Sequence, residues 1–403
     1  PSGLTACAGS SPALGIFYRE LKMKLKINRE IFIKYLTIAD NVIKNMKASL
    51  AILYSVYIEA QENGKLMLMT FNGENGVKIE LDADIEEGGK IALNSKKLLE
   101  IIRGFSSPEI LIYSDTESDT LVNIKAVDNK NLIFKLNGSR PDAYPLHKEF
   151  DWDKYILLKG SDFIELTETT IFSVADQNSV RDTFKGVYLE EINGSIFFVA
   201  TDGKRLSVNS KKFVSKKGDF VIDSIVPENI FKTIMLALTP DSEVMLALES
   251  NLAFFKLDRI YLFSNIIEGK FPNYKDVIPK EAKNIIKVKA DDFLDSIQIL
   301  SVLADDDNYK LKLSLLSPED KKMLLFVRHP THGEAKEIIE LEEYEGEPLD
   351  IYFNYKHVAD FLKIARGKIV TVSINSVTSP FVFRIDGNEQ LIYLDMPLRN
   401  VEY

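Results

Sequence analysis

The chain has 403 residues, of which 45% are hydrophobic and 27% charged, and it carries a formal net charge of −10 with Cys7 as its one cysteine. That length supports about two to four cored domains, and the composition excludes collagen-like and disordered classes. No run approaches the roughly 20 apolar residues of a membrane-spanning helix. From residue 23 onward there is no cysteine, which excludes disulfides, thiol nucleophiles and cysteine-ligated zinc or iron–sulfur centres there and fits the cytoplasm.

Residues 1–22 read as a cloning or upstream remnant, since the first fluent amphipathic stretch opens at Met23. Leu4-Thr5-Ala6-Cys7 has the form of a lipoprotein cleavage box but lacks the 7–15 apolar residues that such a box needs before it. Beyond Met23 the predicted elements recur. Phe32, Tyr35, Leu36, Ala39 and Ile43 fall on one helical stripe. Asn72-Gly73 predicts a tight turn between strands. Leu98, Ile101, Ile102 and Phe105 predict a second helix, with Asn94 as its start signal. The alternation of Leu132, Phe134 and Leu136 predicts a strand, and Asp142-Ala143-Tyr144-Pro145 an irregular connector.

The same series follows twice more. Phe163, Leu166, Thr167, Thr170 and Val174 repeat the first stripe, weakened by threonines at two places. Asn193-Gly194 predicts a turn, and Ile230, Thr233, Ile234 and Ala237, behind Pro227, the next second helix. After the connector Phe271-Pro272-Asn273-Tyr274 come Phe293, Ser296, Ile297, Leu300 and Ala304, then Val358, Phe361, Leu362 and Ala365 behind Asn354. Val370, Val372 and Ile374, then Phe381, Phe383 and Ile385, alternate as strands around Asp386-Gly387. The first-stripe anchors 32, 163 and 293 lie 131 and 130 apart, and the second-stripe anchors 98, 230 and 358 lie 132 and 128 apart. The chain therefore reads as three homologous α+β domains at 23–150, 151–281 and 282–403.

Catalytic motifs are scarce. There is no G-x-G-x-x-G and no Walker loop, and Gly73-Glu74-Asn75-Gly76-Val77-Lys78 reads as a hairpin turn. His329-Pro330-Thr331-His332 reads as a loop with two surface histidines, because Pro330 breaks a helix and no third ligand is near in sequence. Asp305-Asp306-Asp307-Asn308 reads as the solvated end of a helix, the alternative being a metal-dependent hydrolase centred on Asp305–Asp307. Lys96, Lys97, Arg103, Lys232, Lys356, Lys363, Arg366 and Lys368 put mild basic charge on the second helices, and Arg29, Lys34, Lys44 and Lys47 on the first. Such faces suit phosphate contact without base reading, although Asp162, Glu165, Glu168, Asp291, Asp292 and Asp295 oppose it.

Three segments carry a specific resemblance. Val199-Ala200-Thr201-Asp202-Gly203-Lys204-Arg205-Leu206-Ser207-Val208 resembles the V-A-T-D-G-H-R-L-A-V segment of the bacterial sliding clamp family, the beta subunits of DNA polymerase III. Residues 269–279, opening Gly269-Lys270-Phe271-Pro272, resemble its G-R-F-P-D-Y-x-x-V-x-P, and Asp395-Met396-Pro397-Leu398-Arg399 its terminal V-M-P-M-R. The resemblance covers residues 23–403 and implies three DNA-clamp domains per chain, each with two helices packed on antiparallel sheet. It implies a head-to-tail homodimer, a ring of six domains around double-stranded DNA, bound without sequence preference. It implies no catalysis, no cofactor, no metal and no membrane. The implied partners are the polymerase III alpha subunit, the clamp loader, and other polymerases and repair proteins carrying clamp-binding motifs.

By motif match, the partner-peptide pocket would take Phe184, Thr201, Gly203, Lys204, Arg205 and Leu206, with Pro272, Val277 and His357. It would be completed by Val377, Ser379, Leu394, Met396, Pro397, Leu398 and Arg399. Lys47, Arg103 and Gln177 match positions that touch DNA, with Lys47 a point charge in place of an arginine. Phe134 and Leu136 would meet Ile299 and Leu300 of a second copy. Four departures stand out. His357 replaces a tyrosine, Asp276 stands where arginine is common and would turn one pocket wall acidic, residues 181–186 lack paired aromatics, and Asn400-Val401-Glu402-Tyr403 extends past the usual end toward the pocket.

Overall fold

The computed structural model describes residues 23–44, 50–115, 118, 120–129, 131–145, 150–304 and 309–399. Among them the predicted helices form as α1 (Arg29–Ile43), α2 (Ser95–Gly104), α3 (Gly160–Thr170), α4 (Glu228–Met235), α5 (Ala290–Leu300) and α6 (Tyr355–Ile364). The asparagine start signals act as caps. The Asn94 side chain accepts from the Lys97 amide and the Asn354 side chain from the Lys356 and His357 amides, which satisfies otherwise orphaned donors. The stripes face inward: Phe32, Leu36 and Ala39 of α1 and Phe293, Ile297 and Leu300 of α5 are buried. In α3 the threonines of the weak stripe are buried too. Thr170 donates to the Leu166 carbonyl at 2.6 Å, so its hydroxyl is tolerated inside the core.

The chain packs as two compact units, with the second repeat divided between them. Unit 1 holds the first repeat with residues 232–237 and 254–264, and unit 2 holds the remainder. The cause is backbone pairing between repeats. In unit 1, strand Ile260–Asn265 pairs with Asn75–Asp82 from Ile260↔Ile79 to Ser264↔Asn75. Beyond it the antiparallel order runs through Lys65–Phe71, Ser55–Gln61, Gly89–Asn94, Ile133–Ser139, Leu121–Ala126, Glu109–Ser114, Lys24–Asn28 and Asp84–Glu87.

Unit 2 contains a nine-stranded sheet in the order Asp223–Pro227, Gly186–Ile192, Ser195–Thr201, Arg205–Lys212, Asn388–Asp395, Phe381–Ile385, Ile369–Ile374, Asn284–Lys289, Glu343–Glu345. Its centre is the seam between second and third repeats, with Arg205↔Asp395, Leu206↔Leu394, Ser207↔Tyr393 and Val208↔Ile392 in register. A four-stranded sheet, Gly333–Glu340, Lys322–His329, Lys310–Leu315, Leu349–Asn354, completes the third repeat. The predicted turns sit at hairpins, where Asn193, at φ 49°, and Gly194, at φ 78°, take the left-handed conformations that a two-residue connection requires.

Candidate functional site

The seam in unit 2 ends in a built cavity. The hairpin turn Asp202-Gly203-Lys204 is fixed by its own side chains: Asp202 Oδ1 accepts from the Lys204 and Arg205 amides at 2.8 and 2.9 Å. Gly203, at φ +88°, would bring a Cβ to 3.3 Å from the Phe184 ring, so glycine is the residue that fits. This turn presents the Lys204 carbonyl to the Met396 amide at 2.8 Å, and the Leu398 amide donates to the Tyr352 carbonyl at 2.8 Å. Residues 396–398 are thereby pinned between the turn and strand Leu349–Asn354 by main-chain bonds.

Beneath them lies a charged network. His357 Nδ1 lies 2.8 Å from Oδ1 of Asp395, which is fully buried and whose Oδ2 has no hydrogen-bond partner. The Tyr393 hydroxyl donates to the His357 carbonyl at 3.0 Å. Burial pushes the Asp395 carboxyl up to about 6, against the opposing pull of His357 and Arg205. Arg205 donates from Nε to Asp202 and from Nη1 to Asp360, both at 3.0 Å, and its guanidinium lies 5.7 Å from the Phe172 ring. Burial draws the Arg205 guanidinium down, but Tyr393, Asp360 and Asp202 outweigh it and leave it raised. Asp360 also takes Lys363 Nζ at 3.0 Å.

The cavity measures about 620 Å³. Lys204, Arg205, His357, Met396, Pro397, Leu398 and Arg399, all named by motif match, line it. Tyr309, Asn354, Lys356 and Asp360 line it as well and were not assigned to it from the sequence. Helical spacing carried part of that signal, because Lys356, His357 and Asp360 share one side of α6. Tyr309 carried none. Thr201, Leu206, Leu394 and Phe184 are buried and form the substructure of the site. Leu206 and Leu394 pack with Phe271 and Tyr274 in one apolar cluster. Pro272, Val277, Val377 and Ser379 do not line the cavity; Val277 and Val377 stand exposed on turns, and Ser379 closes a turn by donating its amide to Ser376. Asp276 is not among the residues that line this cavity. Its carboxylate accepts from Asn273 at 2.7 Å, and the Lys, Arg and Asp residues of the lining are four cations to one carboxylate.

The other named residues fall elsewhere. Arg103 is exposed on α2 and donates to the Thr37 hydroxyl at 3.1 Å, Gln177 is exposed, and Lys47 lies outside the described residues. Phe134 is 37% and Ile299 65% exposed, and Leu136 is half-buried. Leu300, expected both on the inward stripe and at the contact with a second copy, is 3% exposed and packs into the core of its own repeat. The run 305–308 lies outside the described residues, as do residues 1–22 and 400–403. His329 and His332 stack at 4.3 Å in a hairpin turn, where His329 Nδ1 accepts from the Thr331 and His332 amides.

Among the described residues no helix is long and apolar enough to cross a membrane, and no three histidine, cysteine or carboxylate side chains gather as a metal site. The chain is 27% identical to the beta sliding clamp of Halalkalibacterium halodurans over 94% of its own length and 100% of that protein, and 25% identical to that of Treponema pallidum over the same shares. The DNA polymerase sliding clamp of Bacillus subtilis has the same fold, with a TM-score of 0.87 at 22% identity over 94% of this chain and 100% of that one. Family models of the DNA polymerase III beta subunit match end to end, the N-terminal domain at residues 23–148, the central domain at 157–273 and the C-terminal domain at 275–399, so the chain belongs to that family of sliding clamps.

Proposed function

We propose that two copies of this sliding clamp join head to tail into a ring that encircles duplex DNA in the cytoplasm and holds the replicative polymerase through the groove at residues 396–399. The ring contains six domains, with boundaries near residues 150 and 281. The observation that carries this reading is a missing third seam. Strands Asn75–Asp82, Arg205–Lys212 and Gly333–Glu340 are equivalent in the repeat, starting 130 and 128 residues apart. Their seam partners are equivalent too: Ile133–Ser139, Ile260–Asn265 and Asn388–Asp395 start 127 and 128 residues apart.

Two of three seams are made within the chain. The strands of the third are Gly333–Glu340, an edge of its sheet, and Ile133–Ser139, whose residues 133–137 pair on one side alone among the described residues. Ile133 and Phe134 on one, Ile338 on the other, and Ile299 of α5 are exposed apolar side chains. Open edges with apolar side chains invite pairing, and a head-to-tail contact between copies closes into a ring when the rotation allows. Arg103 and Gln177, with Lys47, would touch the DNA backbone. The polymerase III alpha subunit, the clamp loader and repair proteins would reach the groove through short peptide motifs, with apolar side chains against Met396, Pro397 and Leu398.

Negative-stain electron microscopy tests this. Six-lobed rings with an open centre are expected. Compact particles without a hole, persisting after crosslinking at high concentration, would overturn it.

A further inference from the structure

We infer that the groove selects peptides that carry carboxylates beside their apolar anchors, and that Lys204 and Lys356 set this preference. The inference rests on the reading of the groove as a peptide site.

Four cationic side chains line this cavity in a chain whose net charge is −10. They are not equivalent. Arg205 is compensated, since Asp202 and Asp360 each take one of its donors at 3.0 Å. Asp360, the one carboxylate of the lining, is spent on Arg205 and Lys363. Lys204, Lys356 and Arg399 are exposed, and among the described residues no carboxylate lies within ion-pair distance of them. Lys356 places its ammonium 3.5 Å from the centre of the Tyr309 ring, which holds the charge at the cavity without neutralising it. The Lys204 main chain is tied to Asp202 and Met396, which leaves its side chain free on a fixed turn.

Three cations from three elements thus face one opening with an apolar floor of Met396, Pro397 and Leu398. Their mutual repulsion is relieved by a ligand that brings negative charge, and the floor takes that ligand's apolar side chains. An acidic, leucine- and phenylalanine-bearing segment fits both demands. A basic one meets like charge.

The test uses the full chain and two labelled peptides, identical in leucine and phenylalanine, one with two aspartates and the other with asparagines in their place, followed by fluorescence anisotropy. The aspartate peptide is expected to bind about tenfold tighter at about 50 mM salt, with the gap closing to about twofold or less near 500 mM. The double substitution Lys204→Glu with Lys356→Glu should invert the preference. Equal binding of both peptides, unmoved by salt or by the double substitution, overturns the charge preference and leaves the peptide site standing. Failure of both peptides to bind overturns the peptide site and the preference with it.

Discussion

Strand Asn75–Asp82 meets Ile260–Asn265 in unit 1 much as Arg205–Lys212 meets Asn388–Asp395 in unit 2, but the two seams treat charge differently. In unit 1 the ionic partners stay at the surface. Asp82 takes Lys65 and Arg259 at 2.5 Å each, its carboxyl is held low by them, and all three side chains are at least 44% exposed. The buried part of that seam is neutral, with the Ser264 hydroxyl donating to Asn75 Oδ1 at 2.6 Å. In unit 2 one end of the seam sets Arg205 opposite Asp395, so the charges lie inside, where Asp360 takes Arg205 and His357 hydrogen-bonds Asp395. Exposed ion pairs contribute little and build nothing. Buried ones demand partners from several elements, and those elements frame a cavity.

The unmade third seam gives the largest expected effect. Phe134→Asp with Ile338→Asp would place desolvated charges on both open edges, and the measured mass in light scattering should fall to that of one chain. An unchanged mass would sink the assignment of those edges. Leu300→Ala, by contrast, is expected to cost about 2–5 kcal/mol of fold stability through a core cavity, visible in urea unfolding.

Arg205→Ala comes next. It leaves Asp202 without its guanidinium and Asp360 with Lys363 alone, beside buried Asp395, and should cost about 3–5 kcal/mol in the same assay. Loss below about 1 kcal/mol would mean that water already serves those carboxylates.

The third test exploits pH. Burial raises the Asp395 carboxyl to about 6 from its ordinary 3.8, so the folded chain favours the protonated form. Its stabilising contribution is complete below pH 3.8 and is lost as pH rises through about 6. Asp395→Asn should therefore gain on the parent chain as pH rises, by about 3 kcal/mol in all, roughly half of it between pH 5 and pH 7.5. A difference that does not move with pH would show that the Asp395 carboxyl is not raised by its burial. Smallest is Ser264→Ala at the neutral seam, expected to cost about 1–2 kcal/mol with no pH dependence from pH 5 to 8.

Much of this was legible in the sequence. Helical stripes marked five inward helix faces plainly and the threonine-bearing α3 faintly, because hydroxyls that bond their own helix do not advertise burial. Asn94 and Asn354 announced their helices because a cap is a local event. The seams were not legible, since strand pairing between repeats is a long-range choice that no short window records. For the same reason Asp360 and Tyr309 escaped notice at the cavity, and Leu300 was assigned by resemblance to the contact with a second copy although its own stripe pointed it inward.

Residues 396–398 are held by their backbone amides, through the Lys204 and Tyr352 carbonyls. Neither bond consults the side chains of Met396 or Leu398. The floor of the groove is therefore a place where side chains are free to change one residue at a time, while the scaffold that displays them keeps its shape.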